Sequence, residues 1–305
     1  MALDVNAIKG YVDENEAVLI GETLIKGKTA SLLNLQTGVK GSEYLNLLSA
    51  DPTLQAGGCG WNSDGDTTVT RRKLETGQIK VNQTFCDKDL IGTYMQHNVK
   101  IAAGAKTLPF EQEFIAQNLN AIQKKLEEII WQGDTKDGVA HLKRFDGFIK
   151  ILDAASGVVD ATHSEAKDVV TDAKEVIESV LAGIPNEIMD RTDKAILVGY
   201  DVYRAYVAQL QAANLFHYTN DLTGAMEMVI PGTDVKLIGV AGLVGTKRVY
   251  ATYLENMYLG TDLEGDYEKF KFWYSEDNAE FRLKVEFNAG VQVAFPNMIV
   301  EYKGA

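Results

Sequence analysis

A strand pair with no packing layer of its own, set before a long amphipathic helix, most limits what this chain can fold into. Thr67, Thr68, Val69 and Thr70 lead out, Glu75-Thr76-Gly77 turns, and Ile79, Val81 and Phe85 return on alternate positions, with Lys80, Asn82 and Thr84 between them. An isolated hairpin is marginal in water. The preceding stretch from Gly57 to Asp66, which holds Cys59 and Trp61, is too rich in glycine and turn residues to supply a layer. The expectation is a projecting arm whose apolar face needs another surface, most economically a second copy of the chain. That points to an assembly subunit before an enzyme.

The helix opens near Thr107-Leu108-Pro109, where the missing proline N–H is harmless, with Glu111 and Glu113 at the positive end of the dipole. Phe110, Phe114, Ile115, Leu119, Ile122, Leu126, Ile129 and Ile130 recur at spacings of three and four, which predicts one continuous apolar stripe. At the helical rise the segment to Trp131 spans roughly 35 Å before Gly133 stops it, long enough for a spine.

On either side the pattern changes. Residues 1–50 read as an extended, partly helical arm broken by Gly21, Gly27, Gly38 and Gly41, and Leu90 to Ala105 leads into the helix. After the spine comes the apolar run Gly147 to Leu152. A helix capped by Thr162 or Ser164 then carries Val169 to Leu181 and ends at Gly183 and Pro185. Lys194 to Gly199 reads as a buried strand and Asp201 starts another helix. Met226 to Ile230 and Asp234 to Val240 form an antiparallel pair about Pro231-Gly232-Thr233, and Arg248 to Leu259 is extended. Phe281, Leu283, Val285 and Phe287 alternate with Arg282, Lys284 and Glu286, and Lys269 to Tyr274 can pair with them. Val291 to Pro296 and Met298 to Val300 close the chain.

Of 305 residues, 46% are hydrophobic and 24% charged, an ordinary globular composition. The net charge of -13, from 43 Asp plus Glu against 30 Lys plus Arg, opposes tight binding of a nucleic acid backbone, which recruits cations. Cys59 and Cys86 are too few for a disulfide framework and show no zinc spacing, which suits a reduced compartment. Met1 to Asn6 lacks a signal-peptide start, and no apolar run approaches the ~20 residues of a membrane span, so a soluble intracellular product is expected.

Candidate chemical sites are poor. Gly239 to Lys247 is glycine-rich but has the wrong spacing, and the order Thr246-Lys247, for a phosphate loop. Asn62 to Asp66 begins like a calcium loop, yet the twelfth position is Lys73. His97, His141, His163 and His217 are scattered, and Glu127-Glu128 and Asp262 to Asp266 read as solvated faces or turns. No catalytic residue, cofactor or metal is expected. Arg71-Arg72-Lys73 is the most suggestive charge cluster, either a solubilising edge or a dock for a neighbour's acidic patch.

The order of arm, hairpin, spine, α/β body and strand return resembles the Hong Kong-type major capsid protein of tailed bacteriophages, a fold shared with encapsulin nanocompartments and the herpesvirus shell floor. Ile129-Ile130-Trp131-Gln132-Gly133-Asp134-Thr135, with Gly147 to Leu152 downstream, is similar to the family's Gly-Asp-Gly and Gly-Ile-Leu pair, although Thr135 departs from the glycine. Tyr258 to Leu263, Phe281 to Phe287 and Gly290 to Pro296 resemble the terminal block of capsid proteins from phages and prophages of Bacteroidetes hosts.

The resemblance implies an α+β fold divided into an N-terminal arm (1–50), an extended loop with its lead-in (51–105), the spine and peripheral domain (106–153), an axial domain (154–256) and return strands (257–305). It implies a non-enzymatic subunit that closes as hexamers and pentamers into an icosahedral shell around double-stranded DNA, a virion capsid assembled in the host bacterial cytoplasm. The acidic balance fits a container that confines DNA without gripping it. The short arm leaves little room for a cleaved scaffolding segment, so a separate scaffold is expected, with a portal and decoration proteins as further partners and no membrane. Trp61, Arg71, Arg72, Lys73, Glu75, Ile79, Lys80 and Phe85 are the expected subunit-interface residues. The rival readings are an encapsulin-like shell and a soluble α/β enzyme.

Overall fold

The computed structural model describes residues 19, 27–55, 57, 65–86, 110–136, 139, 141–162, 167–213, 226–262, 269–278 and 280–305. In chain order the short helix α1 (Lys28–Leu32) precedes β1 (Asn34–Gln36), β2 (Ser42–Pro52), β3 (Gly65–Glu75) and β4 (Gly77–Cys86). The spine α2 (Phe110–Gln132), α3 (Phe148–Ala154), β5 (Val159–Asp160), α4 (Ala173–Ala182), α5 (Asn186–Met189), β6 (Lys194–Gly199) and α6 (Tyr200–Ala212) follow. The rest is strand-rich: β7 (Glu227–Val229), β8 (Lys236–Val240), β9 (Arg248–Tyr253), β10 (Met257–Thr261), β11 (Lys269–Ser275), β12 (Glu280–Val293) and β13 (Val300–Lys303).

Two sheets carry the structure. In the first, β12 is paired on both edges: β4 runs along one, and β11 and β10 lie end to end along the other, with β1 parallel outside β10. The alternation of β12 sets its faces. Phe281, Leu283, Val285 and Phe287 are buried with Phe270 and Phe272 of β11, and the spine lays Ile115, Leu119, Ile122, Leu126 and Ile129 into the same core. Phe114 meets both Phe85 (5.0 Å between centroids) and Phe272 (5.8 Å) edge to face. Leu126 is buried as its place in the stripe predicts.

The second sheet runs β5-β13-β9-β6-β8-β7 with mixed pairing. Ile196 and Val198 of β6 face α4 and α6, whereas Ala195 and Leu197 face the spine core. A strand covered on both faces has no reason to alternate, which is why Lys194 to Gly199 reads as a continuous apolar run. The chain crosses directly from a strand of one sheet to a strand of the other at residues 254–256 and 294–299. Buried Asn256 joins the crossings: its Oδ1 accepts from the Phe295 amide at 2.7 Å and its Nδ2 donates to the Phe295 carbonyl at 2.9 Å. Residues 248–259, expected as one extended stretch, are thus two strands in different sheets, because a single strand cannot pair in both.

Two boundaries also move. The helix expected from Thr162 or Ser164 begins at Ala173, after a turn, and the Thr162 hydroxyl instead accepts from the Lys303 amide at 2.8 Å. Ser164 lies outside the described residues. Within residues 1–50, Ser42 onward is a strand paired with β3.

The end of the spine is where these parts meet. Gly133 and Gly147 touch, the Gly147 amide donating to the Gly133 carbonyl at 2.8 Å. A Cβ on Gly147 would stand 2.6 Å from the Trp131 carbonyl oxygen. Trp131, fully buried, lies against Phe148 (5.3 Å) and stacks on Tyr250 (5.7 Å). Its Nε1 donates to Thr29 Oγ1 at 3.0 Å, and the Thr29 hydroxyl donates to Glu127 Oε2 at 2.5 Å. Glu127 Oε1 accepts from the Thr29 amide at 2.6 Å. Glu127 is therefore a buried clasp for α1 and not the solvated acid its neighbour Glu128 suggests. A second link joins α3 to the second sheet, where Asp153 pairs with Arg248 (3.0 Å) and Lys303 (2.8 Å), and Arg248 also pairs with buried Glu301.

Burial holds the Glu127 carboxyl above the usual glutamate range, outweighing the Thr29 hydrogen bonds and the Lys28 charge that pull it down. Such a group binds its proton more tightly folded than unfolded. Its contribution to stability is complete below the ordinary glutamate pKa and is lost as pH rises through the folded value. Glu127→Gln removes this dependence, so the melting temperature of the parent minus that of the variant should fall as the pH rises above about 4. A difference that grows with pH would show the carboxylate to be held charged instead.

Candidate subunit interface

β2 and β3 pair antiparallel along their 11 residues, from Ser42 opposite Glu75 to Pro52 opposite Gly65. Among the described residues no other strand joins them. The ribbon is anchored at its base, where Leu74 is fully buried with Val39, Leu45, Leu47 and Ala294. Polar contacts fix the same end. Arg72 Nη2 donates to Gln292 Oε1 at 3.3 Å, and Gln292 Nε2 donates to the Lys73 carbonyl at 2.6 Å.

Cross-strand partners share a face, so Tyr44 with Lys73, Asn46 with Arg71 and Leu48 with Val69 point one way, and Leu45 with Arg72 and Leu47 with Thr70 the other. The second face holds the anchors. On the first, Tyr44, Leu48 and Val69 are 57%, 66% and 61% exposed, an apolar strip beside two cations with no layer beneath it among the described residues. The chain thus carries the uncovered strand pair its sequence predicts, but with a different partner.

That difference corrects the hairpin. β3 and β4 meet at Thr76 without pairing, and β4 instead lines β12 from Gly77 opposite Ala289 to Cys86 opposite Glu280. The crossing is backbone against backbone. A Cβ on Gly290 would stand 2.0 Å from the Glu75 carbonyl oxygen, and one on Gly77 would stand 1.9 Å from that of Arg144. Ile79 is buried in the first sheet's core, Phe85 packs on Phe114, and Lys80 pairs with Glu286 at 3.7 Å. Ile79 and Phe85 find their layer in their own chain, which overturns the expectation that they wait for a neighbour.

The basic cluster divides as well. Arg72 turns to the body, and burial lowers its pKa. Lys73 pairs with Glu75 of its own strand at 2.6 Å, while Arg71 is exposed and has no ion-pair partner among the described residues. Trp61 lies outside the described residues. What the sequence reading missed is Tyr44 and Leu48; the signal was the alternation Glu43-Tyr44-Leu45-Asn46-Leu47 inside a segment read as arm.

The other motifs resolve structurally. The glycine-rich 239–247 segment links β8 to β9 through a 3₁₀ turn, and its Gly242 carbonyl accepts from spine Gln132 Nε2 at 2.7 Å. Residues 62–64 of the calcium-like run lie outside the described residues, as do His97, His163 and His217, while His141 Nε2 stands 3.3 Å from Glu128. Asp262, expected in a solvated turn, is buried. Among the described residues no group of three His, Cys, Asp or Glu is placed to hold a metal, and no helix is long and apolar enough to cross a membrane.

No protein-family model and no curated protein matches the sequence. Solved structures do. A chain of the satellite phage P4 procapsid that includes the size determination protein is 10% identical with a TM-score of 0.63, over 98% of this chain and 96% of that one. A structure from Gordonia phage Cozz is 12% identical with a TM-score of 0.56, over 92% and 86%. A virus-like particle from Pyrococcus furiosus is 8% identical with a TM-score of 0.52, over 95% and 98%. Likeness across almost the whole of each chain shows the α+β Hong Kong-type fold of phage capsids.

Among the described residues the ribbon's buried anchors lie at its base, which makes its outer part separable from the body. Replacing residues 49–68 with Asn-Gly, which favours a two-residue hairpin turn between Leu48 and Val69, should leave circular dichroism unchanged and lower the melting temperature by no more than about 3 °C. Ile79→Asp, on the neighbouring strand, should unfold the chain by burying a charge in the core. Equal damage from both would mean that the ribbon belongs to the core.

Proposed function

We propose that this chain is the major capsid protein of a tailed phage, a structural subunit that closes into an icosahedral shell as hexamers and pentamers around double-stranded DNA. The observation that carries the reading is the projecting ribbon, with Tyr44, Leu48 and Val69 exposed on a body whose fold is that of capsids. An uncovered apolar strand pair has a use in a lattice, where the next subunit supplies its layer, and is a liability on a monomer.

In this reading the arm is residues 1–50, the extended loop lies within 51–105, the spine and the first sheet form the peripheral domain with 106–153 at its centre, residues 154–256 make the axial domain, and 257–305 return. On this reading the loop borrows Ser42–Pro52 from the arm, because β2 pairs with β3, and gives Gly77–Cys86 to the peripheral sheet, because β4 pairs with β12. Arg71, Lys73 and Glu75 sit on the ribbon beside the apolar strip and are proposed as contacts that set register between copies. The role is non-enzymatic, the place is the virion capsid, assembly takes place in the host cytoplasm, and scaffold, portal and decoration proteins are the other partners. A Bacteroidetes host is supported by the terminal-block resemblance alone.

Electron microscopy of the purified chain, alone and with the scaffold encoded beside it, is the direct test. Closed shells or rings are expected from the parent, and Leu48→Asp with Val69→Asp should abolish them while leaving secondary structure intact. Shells that carry protein cargo and no DNA in their native host would favour the encapsulin-like reading, to which the likeness to the Pyrococcus furiosus particle lends weight. A parent chain that stays monomeric at every concentration, with scaffold present, would contradict both.

A further inference from the structure

A cavity of about 450 Å³ opens between the spine helix and β4, and no part of the assembly reading uses it. Its floor is aliphatic and aromatic, built from Ile79, Ile122, Leu126, Ile129 and Phe287. Its rim is cationic. Lys80, Lys125 and Arg144 line it together with His141, and among the described residues no carboxylate does, on a chain whose net charge is -13. Lys125 and Lys80 pair with Glu128 (2.8 Å) and Glu286 (3.7 Å), which lie outside the lining; exposed pairs of this kind are weak and exchange readily.

The two properties together define an occupant. An apolar floor gains nothing from a phosphate backbone but receives aliphatic side chains, and a cationic rim selects carboxylates beside them. From Ala121 to Ile129 the spine wall runs about 12 Å, or a little over two helical turns. We propose that this groove docks an acidic, amphipathic segment of a partner protein, with two or three of its aliphatic side chains in the floor and flanking Asp or Glu against Lys80, Lys125 and Arg144. The groove lies on one chain's own body, so the inference stands whether or not the chain builds a shell.

The probe is a fluorescein-labelled peptide of about 14 residues with Leu at helical i, i+3, i+4 and i+7 positions and Glu elsewhere, compared with a copy carrying Lys in place of Glu. Fluorescence anisotropy with the full-length chain should show the acidic peptide bound at least about tenfold more tightly than the basic one, and weakened by salt. Ala121→Trp, an exposed position on the groove wall, should weaken binding about tenfold by filling the space, and so should Lys80→Glu with Lys125→Glu. The charge reversals are on the surface and keep the test alive if the tryptophan variant fails to fold. Equal binding of both peptides, acidic-peptide binding indifferent to these variants, or binding of an oligothymidylate of about 20 nucleotides in place of the acidic peptide would overturn the proposal.

Discussion

The buried indole of Trp131 is the contact on which the rest of the body depends. A buried indole N–H needs an acceptor, and the acceptor is Thr29, 102 residues away in the arm. The Thr29 proton in turn goes to Glu127, one helical turn back on the same spine. Removing α1 would leave an indole donor and a carboxylate buried without partners, so the arm is held by the cost of leaving as much as by its own contacts. The same ring presses on Phe148 behind the spine and Tyr250 of the second sheet. One side chain thus fixes the spine against three separate parts of the chain.

Around that point the structure has two grades of order. β12 is paired along both edges and buried under the spine, so its hydrogen bonds and apolar contacts reinforce each other. The ribbon draws on Leu74, Leu45, Leu47 and the Arg72–Gln292 contact at one end, and farther along it Leu48 and Val69 are exposed. Segments with few buried contacts are the low-stability end of a fold and the part most able to reorganise against a partner. A rigid body and a weakly supported strand pair in one chain are what a subunit needs if it is to fold before it assembles.

What could be read in the sequence was set by local periodicity. The spine stripe, the alternation of β12 and its pairing with β11, the unbroken apolar run of β6 and the β7–β8 turn each depend on residues close in the chain, and each is present. What could not be read was set by partners far away. β4 alternates as a hairpin strand should, but its register is with a strand some 200 residues on, admitted by the bare backbone of Gly77 and Gly290. Arg71 and Arg72 are adjacent and alike in sequence, yet the pleat sends one to solvent and the other to Gln292. Glu127 and Glu128 differ for the same reason on a helix, since only one lies on the face that α1 covers. In the candidate interface the uncovered strand pair was legible, and the identity of its second strand was not.

If, as proposed, the body folds alone and the ribbon gains its order from a neighbouring copy, hydrogen exchange on the chain before and after assembly will separate the two. The spine and β12 should be strongly protected in both states, and the amides of residues 48–51 and 66–69 should exchange quickly in the free chain and become protected on assembly. Ribbon amides as slow as those of β12 in the free chain would mean that the ribbon is ordered without a neighbour, and amides still fast after assembly would mean that no neighbour covers it.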